Sequence, residues 1–98
     1  MLTRIVKMSF KPEKVNDFLT LFNANKHRIA SFEGCSLLEL HQDIHSLNVY
    51  FTYSKWHSEK HLENYRNSEL FSVVWNQTKV LFDAKPEAWS VKLIFSSV

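Results

Sequence analysis

Glycine and cysteine each occur once in the 98 residues, and proline twice. Each scarcity excludes a class of chemistry. The GxGxxG dinucleotide loop and the GxxxxGK[ST] phosphate loop need several glycines to bring backbone amides against phosphate oxygens, and the GxSxG nucleophile elbow needs two. None can be built around Gly34 alone, so no nicotinamide, flavin or nucleotide cofactor is expected. Cys35 can form no intramolecular disulfide and has no CxxC partner, which makes a reducing, cytoplasmic compartment the expectation. Its side chain reads as a small buried hydrophobe rather than a nucleophile. Apolar runs of membrane-spanning length are lacking, and the N-terminal MLTRIVKMSF is too short and too interrupted by charge for a signal peptide. A basic block is missing too. The 12 Lys and Arg are scattered among 10 Asp and Glu for a net charge of +2, which argues against a nucleic-acid partner.

What the chain does have is aromatic bulk, with 8 Phe, 3 Trp and 3 Tyr. The length fits a single domain over residues 1–98, with no room for a second core. So small a domain buries a modest fraction of its surface and is marginal alone, and self-association is a common remedy.

Residues Leu2 to Phe10 alternate, with Leu2, Val6, Met8 and Phe10 on one face and Ile5 on the other, as in a strand. Pro12 suits a first helical position, and Glu13 suits the positive end of a helix. Val15, Phe18, Leu19, Phe22 and Ile29 recur at helical spacing, which predicts an amphipathic helix over Pro12–Ser31 closed by Gly34. Cys35–Gln42 and Asn48–Trp56 read as a hairpin. Ser58 can cap a second helical region that carries Leu62 and Tyr65, and Asn67-Ser68 offers a break or second cap. Leu70, Phe71, Val74, Trp75, Thr78, Leu81 and Phe82 continue a helical stripe until Pro86. Trp89, Val91, Leu93 and Phe95 then alternate in a last strand.

The order is β-α-β-β-α-β. It predicts an α+β, ferredoxin-like fold, a four-stranded antiparallel sheet with the helices on one face. The other face is not polar, because Val49, Phe51 and Tyr53 alternate with Tyr50, Thr52 and Ser54 and both parities carry bulk. A sheet that is apolar on both sides needs a second cover, and a second copy of the chain is the simplest one.

Five histidines raise the question of a metal. His41 and His45 are four apart across a strand end and a loop, while His57 lies outside a helix capped by Ser58, away from His61. Glu59 is misplaced for an HExxH site, and no metal is expected. Trp56, Tyr65, Phe71 and Trp75 can wall an aromatic pocket between the sheet and the second helical region, the alternative being plain core packing. Arg4 and His41, on strands, are candidates to supply a charge or move a proton there.

The run FEGCSLLELHQD, followed by NVYFTYSKWHSEKHLENYRNSELF, resembles the antibiotic biosynthesis monooxygenase family. Gly34-Cys35 matches the turn before strand two, and Trp56 with Ser58-Glu59 matches the end of strand three. Leu62, Tyr65, Ser68 and Phe71 match the helix and the Ser-x-x-Phe segment after it. The resemblance implies a homodimeric α+β barrel with a small-molecule pocket in each subunit between sheet and helices. It also implies relatives that oxidise aromatic compounds with O₂ and no cofactor, alongside others that cleave haem, isomerise substrates or bind small molecules. Trp56 falls on the tryptophan of the quinone-forming members, but their asparagine falls on Thr52 and their helical tyrosine on Leu62. In the haem-degrading branch the axial histidine falls on Trp75, the strand-one asparagine on Ile5 and the helical tryptophan on Tyr65, so haem oxygenation is disfavoured. The expected function is cofactor-independent oxygenation of a small aromatic or quinol-type compound, with Trp56, His41 and Arg4 as catalytic candidates. Tyr65, Phe71, Trp75 and Thr52 are the expected substrate contacts. A non-oxidative isomerase or a ligand-binding dimer is the alternative.

Overall fold

The structure, a computed structural model, describes residues 1–98. Strand β1 (Leu2–Ser9) leads through a single 3₁₀ turn at Pro12–Lys14 into helix α1 (Val15–Ala30). The hairpin β2 (Cys35–Gln42) and β3 (Val49–Trp56) follows, then α2 (Glu59–Arg66), α3 (Glu69–Lys79) and β4 (Glu87–Val91). The four strands form one antiparallel sheet in the order β2-β3-β1-β4. This is the expected ferredoxin-like α+β arrangement.

The second helical region is two helices, each begun by a serine. Ser58 Oγ accepts the His61 amide and Ser68 Oγ accepts the Phe71 amide, each satisfying a donor that a helix start leaves open. The chain bends at Asn67-Ser68, so α2 and α3 cover different parts of the sheet. Leu81 and Phe82 lie past the end of α3. There Phe82 bridges to Phe10, and the Lys11 amide donates to the Leu81 carbonyl at 3.0 Å.

The last strand is shorter than the alternation predicts. Val91 pairs with Thr3, near the start of β1, and residues 92–98 continue without strand structure. The reason is geometric: β4 runs antiparallel to β1, so beyond Val91 it has almost no β1 left to pair with. Leu93, Ile94 and Phe95 are exposed as a result.

Register decides which side chains meet the helices. Arg4, Val6 and Met8 of β1 lie opposite Ser54, Thr52 and Tyr50 of β3, and all turn towards α1–α3. Ile5 lies opposite Tyr53 and Trp89, Lys7 opposite Phe51 and Glu87, and Glu39 opposite Tyr53; all of these face away from the helices. A β-bulge at Ser36 shifts the register of β2, which puts Cys35 on the helix side together with Leu38 and Leu40.

Apolar side chains on the helix side form two clusters. Met8, Phe10, Phe18 and Tyr50 close one end, and Leu2, Trp56 and Leu62 the other. Phe10 is fully buried and stacks on Phe18 at 4.1 Å between ring centroids. Gly34 makes the turn from α1 into β2 with φ +92°, in the left-handed region. Its carbonyl accepts the His57 amide at 2.9 Å, and a Cβ there would collide with the His61 ring. Gly34→Ala is therefore expected to cost about 1–3 kcal/mol of stability, read as a lower urea midpoint. Adding His61→Ala should restore only a small part of the loss, because the ring is removed while the equally close Cβ of residue 61 and the backbone strain both remain.

Candidate functional site

Between the two core clusters the helices leave a cavity of about 310 Å³ that touches members of both. That volume sits at the low end of small-molecule sites, roughly 300–1,000 Å³. Its floor is the helix side of β1 and β3, its walls come from α1, α2 and α3, and β4 closes one flank with Ala88.

One wall is a run of rings. Trp56 stacks on Tyr65 at 5.0 Å, Tyr65 meets Phe71 edge-on at 5.3 Å, and Phe71 stacks on Trp75 at 5.8 Å. Phe32 packs edge-on behind both Trp56 and Tyr65. Trp56 is 1% exposed, and its indole N–H donates to Ser54 Oγ at 3.0 Å, so this polar atom is satisfied in the core. Trp75 continues the series to Phe82. Offset and edge-on ring pairs of this kind hold one another in fixed orientations.

Six of the seven expected site residues line this cavity: Arg4, Thr52, Trp56, Tyr65, Phe71 and Trp75. His41 is not among them. It pairs with Phe51 on the opposite face of the sheet, where its Nε2 lies 2.9 Å from Glu39 Oε1 and the ring is well exposed. The strand alternation that makes His41 a neighbour of Leu40 in sequence sends it through the sheet in space. Cys35 is half-buried beside Trp56 and Leu62, and burial raises its thiol pKa, which keeps it protonated.

Besides apolar Leu21, Leu38 and Ala88, two polar lining residues were not singled out from the sequence, Arg66 and Ser54. Arg66 ends α2 and follows Leu62 at a step of four, so it belongs to the same helical stripe as that pocket residue. Ser54 shares the parity of Thr52 and Trp56. Periodicity marked both, but their polar character pointed to the outside.

No aspartate, glutamate or histidine lines the cavity. Its polar groups are hydroxyls, indoles and the two guanidiniums of Arg4 and Arg66. The Tyr65 phenol is pushed up to about 12, first by burial and then by Cys35, so at neutral pH it is a hydrogen-bond donor and not a base. The arrangement can hold an apolar ring and contact its polar substituents, while proton removal falls to the substrate's own acidity or to solvent.

A family model for antibiotic biosynthesis monooxygenases matches residues 1–74. The chain belongs to that family. Among solved structures, an antibiotic biosynthesis monooxygenase superposes with TM-score 0.90 at 16% identity, covering 96% of this chain and 99% of the other. A conserved protein of Methanosarcina mazei Go1 gives TM-score 0.88 at 22% identity, with 94% and 92% covered. A Mycobacterium tuberculosis protein gives 0.88 at 13% identity, with 99% and 98% covered. At these identities the likeness is one of fold. A search of curated proteins finds no match.

The Tyr65 phenol has a testable consequence. Its pKa is raised in the folded protein from about 10, so the stabilisation is complete below pH 10 and is lost as pH rises towards 12. With its partial exposure discounted, the loss is about 2 kcal/mol. Tyr65→Phe should flatten that part of the stability profile, measured by urea unfolding between pH 9 and about 12.

Proposed function

We propose that this chain is a cofactor-independent monooxygenase that acts on a small aromatic or quinol-type compound held in the aromatic cavity. The observation that carries this is the cavity itself: a ring-lined space in a member of this family, with Trp56 at its base and Tyr65, Phe71 and Trp75 along its wall. Thr52 and Tyr65 supply hydroxyls to the polar edge of the substrate. Chemically, a ring-activated CH₂ loses a proton to give an electron-rich anion, and that anion reduces O₂. One oxygen atom ends in the product carbonyl, and the other leaves as water with the two substrate hydrogens. The protein has only to bind the ring system and exclude water. His41, on the far side of the sheet, has no part in this scheme. Trp56 serves as a wall, and Arg4 and Arg66 are the charged groups within reach.

The rival is a non-oxidative isomerase or a ligand-binding dimer. The lack of a carboxylate or imidazole in the cavity favours the ligand-binding dimer, since an enzyme that moves protons, an isomerase included, usually places such a group at hand. Oxygen separates the two. Incubated with hydroxyanthrones and naphthols, the protein is expected to consume O₂ with product formation and to stop under nitrogen, and Trp75→Ala is expected to raise KM severalfold. Equal turnover without O₂, or none with any compound, would count against oxygenation.

The same proposal includes a homodimer joined through the sheet face that the helices leave open, in a reducing cytoplasm suited to a lone cysteine. Ile5, Phe51 and Tyr53 lie on that face only half-buried, and Trp89 and Val91 are 44% and 45% exposed. So much apolar surface on one face is characteristic of a contact surface. Light scattering should give twice the 11.6 kDa chain mass, and Phe51→Lys with Trp89→Lys should halve the measured mass.

A further inference from the structure

The cavity contains two positive charges and no negative one. Arg4 projects from the middle of β1, half-buried, and Arg66 stands at the rim on the last turn of α2. Arg4 donates from Nη1 to Ser90 Oγ at 3.0 Å, a neutral partner. No carboxylate lies within ion-pair distance of either arginine. The ion pairs of the fold are elsewhere: Lys7–Glu87 and His41–Glu39 on the open sheet face, and Lys14–Asp17 at the start of α1.

This pairing works against folding in the absence of a guest. Guanidinium does not give up its proton, so the two charges stay and repel each other at any ordinary pH. Burial first, and then the charge of Arg66, lower the Arg4 pKa; only the second of these is the repulsion between the two guanidiniums. Helix stability explains part of Arg66, because a cation suits the C-terminal end of a helix. It does not explain why the side chain lines the cavity, since a cation anywhere on the last turn serves the dipole. Nor does sheet packing require Arg4, whose neighbours Val6 and Met8 fill the same floor with apolar groups.

We infer that the guest of this cavity is an aromatic oxyanion, a planar apolar ring system bearing a carboxylate or an ionised phenolic oxygen. Its ring lies along the Trp56–Tyr65–Phe71–Trp75 wall, and its charged oxygen is held by Arg4 and Arg66. Guanidinium forks match such oxygens in both geometry and charge. The inference rests on the cavity being the substrate site and narrows the substrate class. A guest bound as its phenolate is already electron-rich and needs no base from the protein to ionise its oxygen, in keeping with a cavity that offers none.

The test compares two ligands of the same shape. 2-Naphthoate is an anion at pH 7 and 2-naphthamide is its neutral counterpart; both are titrated calorimetrically into the intact protein. Naphthoate should bind about 10- to 100-fold more tightly, the range expected of charge-assisted hydrogen bonds. The gap should shrink at high salt and close to within a fewfold in Arg66→Gln, a surface change that spares the core, and in Arg4→Gln. Trp75→Ala should weaken both ligands alike, placing them in this cavity. The phenolic form has its own readout: the absorbance titration of bound 4-nitrophenol should shift at least about one pH unit lower in the wild type than in Arg66→Gln. Equal affinity for naphthoate and naphthamide, or a preference that survives both arginine substitutions, overturns the anion inference and leaves the cavity as a neutral-ligand site. Binding of neither ligand overturns both.

Discussion

The rest of the structure depends on the buried indole of Trp56. It closes the end of β3, pairs across the sheet with Leu2 and Cys35, and packs with Leu62 from α2. Burying a ring this large contributes several kcal/mol only if its N–H finds an acceptor, and Ser54, two residues back on the same strand face, supplies one. With the indole fixed, Tyr65 has a plane to stack on, and through Tyr65 the positions of Phe71 and Trp75 follow. The same side chain is at once a core residue and the base of the cavity, so stability and ligand binding draw on one set of contacts.

The cavity is walled in part by two helices that meet at a bend. The break at Asn67-Ser68, with the Ser68 hydroxyl capping α3, divides this wall between two helices, and the cavity lies between two core clusters. An unfilled apolar space costs stability. The cost is offset by large rings at both ends, above all the Phe10–Phe18 stack that ties β1 to α1. Such a preformed space needs little rearrangement to accept a guest, which favours affinity.

The two faces of the sheet divide the work. The helix face carries the cavity and its arginines, while the open face carries His41, paired with Glu39, and a set of partly exposed apolar groups. Alternation along each strand enforces this division. A residue one position from the site is on the wrong side of the sheet, as His41 shows, and a residue two positions away is back on the right one, as Ser54 shows.

Much of this was legible in the residues themselves. The order of elements, the capping serines, the turn at the lone Gly34 and the two-sided bulk of β3 follow from hydrophobic period and local hydrogen bonding, which short stretches of chain specify alone. So does the aromatic identity of the wall. Three things waited for the tertiary structure, each because it depends on contacts between residues distant in sequence. The length of β4 depends on how much of β1 is left to pair with it. The exclusion of His41 depends on the register of β2 against β3, with its bulge at Ser36. The meeting of Arg4 with Arg66 joins two residues far apart in the chain, through a strand and a helix end that only packing brings together. Local pattern was enough to say which elements form and which faces they bury, whereas the side chains that share the space between them were set by long-range packing.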